Sequence, residues 1–108
     1  MAYDEALAER IRERLHDAPG ISEKKMFGGL AFLTYGNMTV GVIADDLVVR
    51  ISPDAMAAAL TRPGAREFDF SGRPMKGWVM AAGESLEDDV LERWIAEARA
   101  FVGTLPPK

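Results

Sequence analysis

The sequence predicts a two-layer α+β domain in which helices pack on one face of a mainly antiparallel sheet, in the order α-β-β-β(-β)-α-β-β-α. Amphipathic helical patterns near the two ends of the chain, and a helix start in the middle, predict the helices. Short apolar segments separated by two-residue turns predict the sheet. The 108 residues, of which 48% are hydrophobic, fit one domain over residues 1–108 that is long enough to bury a core.

The first helix is predicted over residues 3–17. Its apolar residues recur at a spacing of four, at Tyr3, Leu7, Ile11 and Leu15, so they share one face. Pro19-Gly20 ends the helix, because proline cannot continue it and glycine suits the residue beyond its end. His16 lies in the last turn and is expected to be solvated rather than catalytic.

A meander of three or four antiparallel strands is expected next. The predicted strands cover residues 23–27, 29–35, 38–44 and 47–51. Two-residue turns are predicted at Gly36-Asn37 and Asp45-Asp46, because these residue types tolerate positive φ. Gly28-Gly29 is expected to mark a bulge or a sharp strand-to-strand bend rather than a loop tip, since glycine allows close backbone approach.

The second half of the chain is predicted to form helix, two strands and helix. Ser52-Pro53-Asp54 is a helix start that leads to about residue 60. Strands follow over residues 66–70 and 75–81, joined by a turn at Ser71-Gly72. A capping box at Ser85 then starts a final helix that Gly103 closes. The apolar stripe of that helix consists of Leu91, Trp94, Ile95, Ala98, Phe101 and Val102.

Composition excludes several classes of function. A net charge of -4 provides no general attraction to nucleic acid or to an anionic membrane. The absence of cysteine excludes disulfides, thiolate metal sites and cysteine nucleophiles, and it favours a cytoplasmic location. No apolar run approaches the roughly 20 residues that cross a bilayer, and the amino terminus lacks the features of a secretory signal.

No enzymatic constellation, metal site or cofactor is predicted. Gly28-Gly29 lies between strands, whereas a phosphate loop places its glycines before a helix. Asp45-Asp46 and Asp88-Asp89 are expected to be acids of a turn and of a first helical turn. Structural roles are predicted for four glycines, Gly28, Gly29, Gly72 and Gly77.

Cations interleaved with aromatic residues form the candidate binding site. The predicted binding residues are Lys25, Phe27, Arg50, Arg73, Lys76 and Trp78. Such residues clamp or stack on an anionic group when they share one surface. The alternative is that the rings belong to the core and the lysines extend into water, or that Lys76 pairs with Glu67 or Asp69 on the preceding strand.

Three segments together resemble the amino-terminal domain of the TfoX/Sxy competence regulators. They are residues 24–33 (KKMFGGLAFL), 35–38 (YGNM) and 72–79 (GRPMKGWV), and the resemblance covers nearly the whole chain. It implies a compact α+β domain and a link to regulation of natural competence and of DNA-uptake genes. Full-length regulators of this kind carry a second, carboxy-terminal domain, whereas this sequence ends at Lys108. The chain is therefore expected to be a stand-alone, single-domain member.

The leading hypothesis is a non-enzymatic regulatory or protein-interaction module. The first alternative is a small DNA-binding transcriptional regulator, against which the acidic balance and the lack of a helix-turn-helix pattern count. The second is a protein that binds an anionic small ligand. A protein partner is expected, and so is a homodimer, because Val48, Trp78 and Met80 place apolar groups on the sheet face away from the helices. Neither direct nucleic-acid binding nor membrane binding is expected.

Overall fold

The computed structural model describes residues 3–26, 28–69 and 76–107. Over these ranges the elements follow the order α-β-β-β-β-α-β-β-α. Their bounds are α1 Glu5–Leu15, β1 Ile21–Met26, β2 Gly29–Thr34, β3 Asn37–Ile43, β4 Asp46–Arg50, α2 Met56–Ala59, β5 Ala65–Glu67, β6 Trp78–Ala81 and α3 Asp88–Val102. Single 3-10 turns at Pro53–Ala55 and Gly83–Ser85 precede α2 and α3.

The six strands form one open, antiparallel sheet with the spatial order β1-β2-β3-β4-β6-β5. The first four are a meander in chain order, and β6 inserts between β4 and β5. The predicted α+β class, with helices on one face of a mainly antiparallel sheet, is confirmed.

The main core lies between the helices and one face of the sheet. Leu7, Ile11 and Leu15 of α1 are buried there, as the spacing of four predicts. From α3, Trp94 is fully buried against the same face. The side chain of Asp4 caps α1 by accepting from the amide of Ala6 at 2.9 Å and that of Leu7 at 3.2 Å. The remaining buried members of this core include Leu30, Phe32, Val40, Val42, Leu47, Val49, Val79, Ala81, Leu91, Ile95 and Ala98.

The opposite face of the sheet carries a second, smaller core. Ala31, Met38, Val48 and Phe68 are buried in it. The apolar face is thus where the sequence predicts it, but Val48, expected to lie on an open face, is fully buried. The difference arises because Phe68, just after β5, packs on this face beside Trp78. Half-buried apolar side chains surround this core at Met26, Leu33, Ile43, Trp78 and Met80.

Two hairpin turns lie one residue earlier than predicted. They occupy Tyr35-Gly36, with φ of 48° and 86°, and Ala44-Asp45, with φ of 52° at Ala44. Two consecutive positive φ values match the right-handed twist of the flanking strands, and Gly36 adopts the second without strain. Asn37 instead begins β3, is buried, and donates its side-chain amide to the carbonyl of Pro106 at 2.9 Å.

Gly28 and Gly29 are required for different reasons. Gly28 has φ of 74° and lies between the end of β1 and the start of β2, so it is at the tip of a hairpin, contrary to expectation. Gly29 begins β2, and a Cβ there would lie 2.0 Å from the carbonyl oxygen of Val42 on β3. The pair is therefore a sharp strand-to-strand bend, while the irregularity in the β2–β3 register lies further along, at Phe32 and Leu33.

The elements around β6 and α3 also differ from the prediction. The strand β6 begins only at Trp78, because Lys76 and Gly77 form a turn with φ of 86° at Gly77. The strand predicted over 66–70 is Ala65–Glu67. Ser85 does not cap α3: its hydroxyl donates to the carbonyl of Ala82 within the 3-10 turn, and Glu87 occupies the position before the helix.

Candidate functional site

A cation held between two aromatic rings lies at one end of the sheet. Arg50 is the last residue of β4, and the register places it opposite Trp78, the first residue of β6. The guanidinium carbon of Arg50 is 5.4 Å from the centre of the Trp78 ring. It is also 5.8 Å from the ring of Phe101, in the last turn of α3. Both distances are within the range of cation–π attraction.

The rings continue onto the second face of the sheet. Trp78 lies 6.3 Å from Phe68 between ring centres, with the planes inclined at 54°, an arrangement typical of a favourable aromatic pair. We call Phe101, Arg50, Trp78 and Phe68 the Arg50 cluster. It joins the end of α3 in the helix layer to the smaller core on the other face.

The charge of Arg50 has no acidic partner among residues 3–26, 28–69 and 76–107. Six of the eight arginines in these ranges pair with a carboxylate, whereas Arg50 and Arg99 do not. Arg99 is exposed on α3, but Arg50 is half-buried. The sequence of residues 70–75 (FSGRPM) contains no acidic side chain that would supply a partner. A half-buried guanidinium without a carboxylate is the chemical feature that singles out this end of the sheet.

An open groove of about 600 Å³ adjoins the cluster. Phe101 belongs to both, so the cation and the groove are continuous. We call it the Phe101 groove, and its lining residues are Ile51, Ser52, Ala55, Glu97, Ala100, Phe101 and Thr104. Its walls are mostly apolar, with the carboxylate of Glu97 on one side. That carboxylate is held by Arg62 at 2.7 Å.

The structure brings together part of the predicted site. Arg50 and Trp78 are in contact, and the exposed Lys76 lies two residues before Trp78 at the same end of the sheet. Within the described ranges Lys76 pairs with neither Glu67 nor Asp69.

Lys25 lies apart from this group. It is on the edge strand β1, three strand spacings or about 14 Å from β4, and its partner Leu30 faces the helices. Lys25 and Arg50 therefore do not share a surface. Phe27 and Arg73, with the structural Gly72, lie outside the described residues. Phe101 was assigned from the sequence to the helical stripe only, and no local signal in the sequence connects it to Arg50.

The other charged clusters tie elements to one another. Arg12 on α1 donates to both carboxylate oxygens of Glu23 on β1 at 2.7 Å, and this lowers the pKa of Glu23 below its usual value. Arg10 and Arg14 on α1 pair with Asp88 at the start of α3 at 3.0 and 3.3 Å. These pairs link α1 to the sheet edge and to α3, and each has an internal partner.

Asp46 was predicted to be a turn acid, and His16 was predicted to be solvated. Asp46 accepts from the amide of Gly83 at 3.1 Å and pairs with Arg66 at 2.6 Å. The exposed His16 contacts the carboxylate of its neighbour Asp17. In the part of the chain that the structure describes, no three His, Asp or Glu side chains are placed to hold a metal ion. No helix in that part is both long enough and apolar enough to cross a bilayer.

Together these features define a small two-layer α+β domain with a cation–aromatic cluster beside an open groove. The model of one protein family, described as the TfoX N-terminal domain, matches residues 13–102 of the 108. The chain belongs to this family and is thus a TfoX-like module. Searches of curated proteins and of solved structures give no significant match.

Proposed function

We propose that the protein is a non-enzymatic regulatory module that works by binding another protein. The observation that carries this proposal is the Arg50 cluster, where a half-buried cation without a carboxylate adjoins an apolar groove. Protein interfaces use arginine and aromatic side chains in this way, as anchors beside apolar pockets. Membership of the TfoX N-terminal domain family supports a regulatory role.

Regulation of competence genes or of transcription in the cytoplasm is the finer form of the proposal. It rests on membership of the TfoX N-terminal domain family and on the resemblance to the TfoX/Sxy competence regulators, which implies a link to the regulation of DNA-uptake genes. We also propose a homodimer, formed through the half-buried side chains on the sheet face away from the helices. Leu33, Ile43 and Met80 would supply that contact.

The two alternatives are less well supported by the charges near the Arg50 cluster. Glu97 lines the Phe101 groove, and the exposed Asp54 lies in the 3-10 turn beside it. A polyanionic DNA backbone would meet these carboxylates as well as the net charge of -4. A small anionic ligand would satisfy Arg50 but would leave most of an open groove of about 600 Å³ exposed to water.

Affinity capture from native cytoplasm, followed by reconstitution with the purified candidate, tests the proposed function. We expect to capture a protein that binds the wild type directly and saturably. The same protein should bind the Arg99→Gln control equally well. Duplex DNA over a range of salt concentrations and a thermal-shift screen of anionic metabolites are the competing arms. Saturable DNA or metabolite binding without a protein partner would contradict the proposal, as would turnover in an activity screen.

A further inference from the structure

We infer that the Arg50 cluster and the Phe101 groove bind an acidic and apolar segment of the partner protein, with one carboxylate on Arg50 and the next apolar side chain in the groove. This inference rests on the proposed function and names the chemistry of the partner. The second occupant considered, a further copy of this chain, is an outcome of the test.

The donors of Arg50 are free to bind such a group. No hydrogen bond from its five N–H groups is found within the described ranges, and its ring contacts involve the guanidinium as a cation rather than as a donor. The planar fork of a guanidinium matches the two oxygens of a carboxylate. The flanking rings of Trp78 and Phe101 also exclude water, which strengthens a charge-assisted bond.

The neighbouring groove selects the residue that comes after the acidic one in the bound segment. Phe101 contacts Arg50 and also lines the groove, so the apolar surface begins next to the cation. Ile51, Ala55 and Ala100 also line the groove and add apolar surface to it. A leucine or phenylalanine directly after the acidic residue would bury its side chain against these groups.

The charges around the groove limit how many acidic groups the segment carries. Glu97 lines the groove and Asp54 lies beside it, so two acidic side chains border the site. One carboxylate of the segment binds Arg50, but a second carboxylate further along would lie near the acidic side chains of Glu97 and Asp54. The preferred segment is therefore one acidic residue followed by apolar residues, rather than an acidic tract or a phosphate backbone.

A matched pair of short peptides tests the inference by NMR titration of the isotope-labelled protein. The probe is an acetylated and amidated peptide with a Glu-Leu-Phe centre, and its control has Gln-Leu-Phe. We expect saturable shifts of the Trp78 indole N–H and the Arg50 side-chain N–H, with a Kd of about 1 mM. The control peptide should bind about tenfold more weakly, because it removes the charge and retains the apolar contact.

Variants of the two unpaired arginines separate charge from position. Arg50→Gln should weaken binding of the Glu-Leu-Phe peptide about tenfold. Arg50→Lys should weaken it about threefold, since lysine keeps the charge but not the planar fork of donors. Arg99→Gln removes the same charge from exposed helix surface and should leave the Kd within about twofold. Thermal unfolding of each variant verifies that it is folded.

Several results would overturn the inference. They are equal affinity for the two peptides, an equal loss of peptide affinity in Arg50→Gln and Arg99→Gln, or no saturable binding of the Glu-Leu-Phe peptide. Shifts at Trp78 and Arg50 that depend on protein concentration without peptide, and that persist in the Leu33→Glu variant of the proposed homodimer face, would identify a second copy as the occupant. A captured partner that Arg50→Gln retains would refute this inference while the proposed function stands, whereas the DNA and metabolite arms test that function separately.

Discussion

Substitution of either adjacent glycine at the β1–β2 hairpin should destabilise the fold, but for a different reason at each position. At Gly29 the carbonyl oxygen of Val42 lies 2.0 Å from the place of a Cβ, and real Cβ contacts stay above about 3 Å. Gly29→Ala therefore requires β2 and β3 to separate locally by about 1 Å. At Gly28 nothing lies within 4 Å of a Cβ, so the only cost is the positive φ of 74°.

The magnitudes differ because the two situations differ. Separating β2 from β3 weakens one or two backbone hydrogen bonds and crowds a buried site, so Gly29→Ala should lower the free energy of unfolding by about 3 kcal/mol. Gly29→Val should cost more. Gly28→Ala should cost about 1 kcal/mol, the penalty of a left-handed conformation for a residue with a Cβ. Gly28→Asn should cost less than Gly28→Ala, because asparagine tolerates that conformation.

Urea unfolding of the four variants, followed by far-UV circular dichroism, measures these differences. The order of stability should be wild type, Gly28→Asn, Gly28→Ala, Gly29→Ala and Gly29→Val, with similar slopes against urea concentration. Gly29→Ala within about 0.5 kcal/mol of wild type would refute the close approach of the two strands. A loss at Gly28→Asn as large as that at Gly29→Ala would refute the division of roles.

Three further predictions concern the charges and the second face of the sheet. Arg50→Gln should lower the free energy of unfolding by about 1 kcal/mol, from two ring contacts of about 0.5 kcal/mol each, and Arg99→Gln by less; equal effects in urea unfolding would count against a cation held by rings. Glu23 is ionised more readily in the folded protein, so its pair with Arg12 stabilises the fold above the usual pKa of 4.5 and is lost as the pH falls through the lowered folded value. Glu23→Gln should therefore be about 0.5 kcal/mol less stable than wild type at pH 7 and equally stable at pH 2. The expected difference is small because the Arg12–Glu23 pair is partly exposed. A stability difference that persists at pH 2 would contradict this prediction. For the proposed homodimer, light scattering should give twice the chain mass for wild type and the chain mass for Leu33→Glu, while a monomeric wild type at high concentration would disprove it.

The sequence was sufficient for the elements whose signals are local. The spacing of Leu7, Ile11 and Leu15 predicted the buried face of α1, and the helix stripe predicted the burial of Trp94. Turn chemistry located both hairpins to within one residue. At the first hairpin the turn is displaced because Asn37, a residue type common in turns, instead begins β3 and donates to the carbonyl of Pro106 in the distant carboxy-terminal segment.

The candidate site depended on contacts that one sequence does not contain. Arg50 and Trp78 were both predicted from cations interleaved with aromatic residues, but their pairing follows from β6 inserting next to β4. Phe101 is 51 residues from Arg50, and its helical spacing alone indicated only a place in the core. Lys25 has the same residue pattern as Lys76, yet the strand order places it near the other edge of the sheet. Residue type was predictable, whereas register and strand order were not.

The most direct test of the central claim is hydrogen exchange of the protein alone and in complex with its captured and purified protein partner. The proposed interface predicts slower amide exchange in residues 50–55, 76–79 and 100–104, which carry the Arg50 cluster and the Phe101 groove. The same segments should lose that protection when the complex is formed with Arg50→Gln at equal protein concentrations. Protection confined to α1 and β1, around Lys25 and the Arg12–Glu23 pair, would contradict the claim.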